Sequence, residues 1–249
     1  MAYRQIILLF GVGTLAGFIN VMAGGGSTIT LPTLIFLGLD SALANGTNRL
    51  AIFIQNIFAI ISFRRQKVHQ FRESFLLSLY TLPGSIIGAI VAVRIGNELF
   101  KKILACVIIA ILISIFFSNS YKKPQKGRVV GMRKYFLYPA LFAIGFYGGF
   151  IQAGVGFLLI ASLYHLQNIN LLYVNMHKVF IIFIYTIPAL IIFIMTGNIN
   201  WIFGLSLACG SSFGAWWSAR FAVSGGERMI RIVLTIAIII ISLKLFNVF

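Results

Sequence analysis

Acidic side chains are nearly absent from this chain. Its 249 residues include four carboxylates, Asp40, Glu73, Glu98 and Glu227, against 20 lysines and arginines. All four fall in predicted loops or at the ends of apolar segments. None is placed for a proton relay or for holding a bare cation inside a membrane, which argues against a cation channel or a carboxylate-driven pump. Two cysteines, Cys106 and Cys209, lie in apolar spans without ligand spacing and read as small packing residues. The sequence has no His/Cys cluster with metal spacing and no Ser–His–carboxylate arrangement. The phosphate-binding pattern GxxxxGK[ST] is also missing. The chain therefore reads as a protein that is not an enzyme, with no cofactor and no metal.

Charge of either sign is scarce. Charged residues make up 10% of the chain and hydrophobic ones 60%, with a mean hydropathy of +1.00. A soluble domain carries about 25% charged residues, so this chain has too little polar surface to cover itself. It reads as an integral membrane protein. Stretches such as "VFIIFIYTIPALIIFIM" (Val179 to Met195) do not alternate as barrel strands do, so the spans are helices. The net charge of +16 does not indicate nucleic acid. The basic residues gather in "FRRQKVHQFR" (Phe63 to Arg72) and "YKKPQKGRVVGMRK" (Tyr121 to Lys134), the pattern of cytoplasmic loops against anionic lipid. Membrane lipids are expected partners, nucleic acid is not, and a homo-oligomer is left open.

At about 20 residues per span, eight apolar segments emerge: 6–38, 44–63, 73–93, 99–118, 135–166, 172–196, 200–221 and 228–247. The two halves match. Gly24, Gly26, Asn45, Ile52 and Phe53 lie over Gly154, Gly156, Asn175, Ile182 and Phe183 at one constant shift. "GAIVAVRI" (Gly88 to Ile95) lies over "GAWWSARF" (Gly214 to Phe221). The expectation is an all-α polytopic protein of two tandem repeats of about four segments. Residues 1–117 form the first repeat, 118–134 a basic cytoplasmic linker and 135–249 the second repeat. Because it matches an internal segment, the first segment is expected to be retained rather than cleaved. One crossing per segment would make the repeats parallel and put Arg4, the 64–72 loop, the linker and Lys244 on one cytoplasmic side. A re-entrant turn in the first segment of each half would instead invert them.

The first segment holds "AGGGSTITLP" (Ala23 to Pro32), where three glycines and a proline interrupt a helix. The fifth holds "QAGVGF" (Gln152 to Phe157) in the corresponding place. Irregular backbone at membrane depth is tolerated only where protein or a water-filled cavity satisfies it. Paired breaks in corresponding positions point to a transporter's midplane site, and the N–H groups opening the following half-helix favour an anion. Gly24, Gly25, Gly26, Ser27, Gln152, Gly154 and Gly156 are therefore candidate substrate-binding residues. After each break comes a polar cluster at the entrance of an apolar helix. Asn45, Thr47 and Asn48 form the first, and Asn175, His177 and Lys178 the second; all six join the candidate set. Arg49 reads as a marker of the membrane edge.

Two stretches carry a family likeness. They are "GFINVMAGGGSTITLPTLIFLGLDSALANGTNRL" (Gly17 to Leu50) and "GFYGGFIQAGVGFLLIASLYHLQNINLLYVNMHKV" (Gly145 to Val179). With the basic central linker and the repeated second half, they resemble the TauE/SafE family of membrane proteins, described as sulfite or organosulfonate exporters. The resemblance implies a secondary transporter or facilitator that exports a small sulfur-containing anion across the bacterial cytoplasmic membrane, through a midplane site between the repeats. An inside-negative potential drives such an anion outward by about 2.3 kcal/mol per charge per 100 mV. Transport of another small anion such as a carboxylate, or a non-transporting scaffold subunit, stands as the alternative.

Overall fold

The computed structural model describes residues 2–117, 133–167 and 169–245. Most of the expected linker, 118–132, lies outside the described residues. The described chain is all-helical: α1 (Ala2–Met22), α2 (Ser27–Phe36), α3 (Ser41–Arg65), α4 (Phe71–Arg94), α5 (Asn97–Phe117), α6 (Arg133–Phe150), α7 (Val155–Gln167), α8 (Leu171–Met195) and α9 (Trp201–Leu245). Gly226, at φ 58°, divides α9 into two helices. Helix ends follow local chemistry. The Asn170 side chain accepts from the Tyr173 N–H at 3.0 Å and starts α8, and Asn200 does the same for Phe203 at 3.1 Å. Gly38 and Gly197, with φ of 94° and 71°, follow the ends of α2 and α8. Among the described residues, three helices have the length and apolar character of a membrane span: Tyr3–Met22, Phe71–Arg94 and Leu171–Met195.

Hydrogen bonds between helices fix their directions. The Ser41 N–H donates to Asn97 Oδ1 at 2.8 Å, so α3 and α5 begin on one face, called here the Asn97 face. The short 66–70 connection defines the opposite, Gln70 face. Ser62 Oγ donates to the Trp216 carbonyl at 3.0 Å and the Asn200 N–H to Thr47 Oγ1 at 2.9 Å, so α9 runs parallel to α3. The α8 helix runs parallel to α4, because His177 lies beside Ser74 and Ser85 Oγ donates to the Tyr185 carbonyl at 2.7 Å.

The first segment of each half is a hairpin, not a crossing. Ser206 and Ser218 donate to the carbonyls of Ile6 and Phe18, each at 2.7 Å, so α1 enters beside α9 from the Asn97 face. The chain then turns, and Leu34 and Leu39 pack in one apolar cluster with Leu9 and Phe100, back on that face. In the second half α6 enters beside α4 from the Gln70 face, and α7 returns there. Leu166 and Gln167 at its end line a cavity of about 410 Å³ with Glu73 and Leu137. Each hairpin crosses no net membrane, so the two halves enter from opposite faces. The parallel arrangement expected above is therefore corrected to the inverted one. Arg4 lies on the face opposite the 64–72 loop, not beside it.

Glycine stripes seat both hairpins. A β-carbon on Gly84 or Gly88 would lie 2.2 or 2.1 Å from the carbonyls of Phe142 and Phe146, and one on Gly145 or Gly149 would lie 2.1 Å from those of Thr81 and Ser85. The other half repeats the device. Gly13 and Gly17 of α1 would meet the carbonyls of Leu207 and Ser211, and Gly210 and Gly214 of α9 those of Phe10 and Thr14. Small residues four apart let membrane helices approach backbone to backbone. Large apolar side chains such as Phe75, Ile87, Trp201 and Phe213 face outward, while Asn45, Asn48, Arg49, Asn175 and Lys178 are buried within.

Candidate functional site

Each hairpin turns within the membrane because its sequence breaks the helix there. At the first tip the N–H groups of Ala23 and Gly24 both close onto the Ile19 carbonyl, at 2.7 and 3.1 Å. Gly24 then takes φ 87°, which favours glycine. At the second tip Gln152 and Gly154 take φ 67° and 71°. The tips touch. A β-carbon on Gly24 would lie 2.4 Å from the carbonyl carbon of Gly156, and one on Gly25 2.6 Å from the Phe157 ring. Thus α2 and α7 start side by side and run to opposite faces. Among the described residues, the N–H groups of Gly25, Gly26 and Ser27 donate to no protein acceptor.

The helices entering each tip end with carbonyls that have no partner in their own helix. Side chains of the opposite half supply one. Lys178 Nζ donates to the carbonyls of Asn20 and Val21 at 3.0 and 2.7 Å and to Asn175 Oδ1 at 2.8 Å. Asn175 Nδ2 donates to the Met22 carbonyl at 3.3 Å. The second tip mirrors this: Asn45 Nδ2 donates to the Phe150 carbonyl at 2.7 Å, and Arg49 Nη2 to that of Gly149. A cation at a helix C-terminus also complements the helix dipole. Both tips are thus built by the same exchange, α8 closing α1 and α3 closing α6.

Most of the expected site residues gather around these tips. Gly24, Gly25 and Gly156 form the meeting point, Gly26 packs against Ala16 and Asn20 of α1, Gly154 supplies the turn of the second tip, and Ser27 is buried at the start of α2. Asn48 Oδ1 accepts from Thr30 Oγ1 at 2.6 Å, tying α3 to α2. Gln152 Nε2 donates to Thr186 Oγ1 at 3.3 Å. Two expected residues stand apart from the tips. Thr47 holds the start of α9 through the Asn200 N–H. His177 sits toward the Gln70 face, with Nδ1 2.8 Å from Ser74 Oγ and Nε2 3.1 Å from Gln70 Oε1.

Arg49 is the residue the sequence reading missed. It does not mark the membrane edge; it is 0% exposed, its guanidinium 4.9 Å from the Phe193 ring centroid. The signal available was its spacing of four from Asn45, which puts both on one face of α3. Nothing among the described residues gathers three or more His, Cys, Asp or Glu side chains into a metal-holding group.

The sequence profile of the family described as "Sulfite exporter TauE/SafE" matches residues 9–245. A probable membrane transporter protein of Haemophilus influenzae is 30% identical over 229 residues, covering 91% of this chain and 88% of that protein. The probable membrane transporter protein YfcA of Escherichia coli is 32% identical over 241 residues, 96% of this chain and 88% of YfcA. Its counterpart YunE of Bacillus subtilis is 24% identical, with 97% of each chain covered. No solved structure matches the chain. With full-length similarity to membrane transporters, and paired hairpins meeting inside an apolar bundle, this chain belongs to the sulfite exporter TauE/SafE family of integral membrane transporters.

Proposed function

We propose that this protein exports a small sulfur-containing anion, sulfite or an organosulfonate, across the cytoplasmic membrane through the site where the hairpin tips meet. One observation carries the reading: the interior holds two buried cations, Arg49 and Lys178, and no buried carboxylate among the described residues. A buried charge left without a counter-charge is costly, and a transported anion supplies that charge for as long as it is bound. The N-termini of α2 and α7 add partial positive charge at the same place. The family description supports sulfite as the first anion to test.

Arg64, Arg65, Lys67 and Arg72 flank the Gln70 face, which this reading takes as cytoplasmic. The membrane potential then drives the anion from the Gln70 face to the Asn97 face. The test is sulfite efflux from proteoliposomes under an imposed inside-negative potential, with empty liposomes beside them. Potential-dependent efflux is expected. Its absence from folded protein, with efflux of acetate in its place, would move the substrate to the carboxylates.

A further inference from the structure

The two buried cations differ in what they have left to give. An ammonium has three N–H donors, and those of Lys178 have three acceptors in Asn20, Val21 and Asn175. A guanidinium has five donors in a planar fork. Arg49 gives one, from Nη2, to the Gly149 carbonyl, while Nε and Nη1 have no acceptor in the protein. Whichever Nη2 hydrogen is used, one whole edge of the guanidinium keeps two parallel N–H groups free. The Phe193 ring packs against the group, its centroid 4.9 Å from Cζ, and offers it no hydrogen-bond acceptor atom.

The surroundings of Arg49 share this character. Among the described residues eleven buried side-chain polar atoms lack a partner, and seven of them are on α3: Asn45 Oδ1, Asn48 Nδ2, Arg49 Nε and Nη1, Gln55 Nε2, and Asn56 Nδ2 and Oδ1. Asn45, Arg49 and Asn56 lie on one helix face by their spacing of four and seven. Buried polar atoms are ordinarily paired, and an unpaired one in a membrane interior marks a functional path.

Resting on the export reading above, we propose that Arg49 is the residue that grips the transported anion, through two parallel hydrogen bonds from its free edge to two oxygens of one sulfite or sulfonate group. Lys178 is then the closure of α1, adding charge but no contact. A two-oxygen grip favours oxyanions over halides, because two oxygens accept the parallel N–H groups in line, whereas a single spherical ion meets both at bent angles.

The test uses the full chain in proteoliposomes, with efflux of sulfite, methanesulfonate and chloride measured for the wild type and Arg49→Lys. The lysine keeps the charge and loses the fork. Arg49→Gln, which keeps a donor for the Gly149 carbonyl, serves if the lysine variant does not fold. At least a tenfold fall in sulfite and methanesulfonate efflux is expected, with chloride efflux low and unchanged. Efflux of both oxyanions within twofold of wild type in a folded variant overturns the assignment. Thermal stabilisation by the same anions separates the two proposals. If the wild type transports neither sulfur anion but is stabilised by an oxyanion, and Arg49→Lys loses that stabilisation, the export reading fails and the Arg49 site stands. If no oxyanion stabilises the wild type, the Arg49 site fails too.

Discussion

Gly24 and Gly156 meet backbone to backbone at the centre of the molecule: a β-carbon on Gly156 would lie 2.2 Å from the Gly24 Cα. Neither neighbour is a flexible side chain that could swing away. Gly156→Ala is therefore expected to push the hairpin tips apart, at a cost of about 1–3 kcal/mol typical of overpacking. Gly11→Ala, in a helix position with open space around it, is the control. Thermal unfolding in detergent reads both, and equal melting temperatures would remove the close contact from the account.

Lys178→Ala leaves the Asn20 and Val21 carbonyls without their donor. Each buried acceptor left unpaired costs about 1–3 kcal/mol, so the variant is expected to melt well below wild type and to lose anion flux with it. Lys178→Arg restores charge and donors and should recover part of the stability. A Lys178→Ala protein that melts like wild type would show that the C-terminal end of α1 finds other partners.

The inverted arrangement makes a two-sided prediction. In a background with Cys106 and Cys209 replaced by alanine, Arg4→Cys and Lys67→Cys are expected to react with an impermeant thiol reagent from opposite faces of the membrane. Lys67→Cys should label only after permeabilisation. Labelling of both from one side would restore the parallel order.

The glycine stripes predict paired sensitivity. Gly149→Leu should dislodge the second hairpin from α4, and Gly17→Leu the first from α9, because each would drive a side chain into a backbone carbonyl about 2.1 Å from the β-carbon. Co-expressed halves, one tagged, report the result by pull-down: each substitution should weaken recovery of the partner half.

Much of this architecture is visible in the sequence, and what is hidden has a physical cause. The scarcity of charge fixed the membrane class, and the glycines and proline of 23–32 marked a broken helix. Whether the chain continues or turns back after such a break depends on a few backbone angles, those of Gly24 and Gly154 above all. Apolar periodicity is the same in either case, so the sequence leaves crossing and hairpin, parallel and inverted, as alternatives. Arg49 was hidden for a related reason. An arginine five residues past the start of an apolar segment looks like an interface anchor until the helices that enclose it, α6 and α8, are known. Lys178 stands out in the sequence as a polar candidate at the entrance of its helix, but two of its acceptors are backbone carbonyls of α1, which carry no sequence signature.

The exchange of caps between halves also sets an order in time. Asn45 and Phe150 are 105 residues apart, and Asn45 is made first. When α6 leaves the ribosome, its closing residues are already in the membrane. Met22 precedes Asn175 by 153 residues. At roughly 5–20 residues per second of synthesis, the carbonyls at the end of α1 wait about 8–30 s for α8. The first hairpin is thus closed later than the second, and during that interval the end of α1 depends on water or on the insertion machinery to hold it.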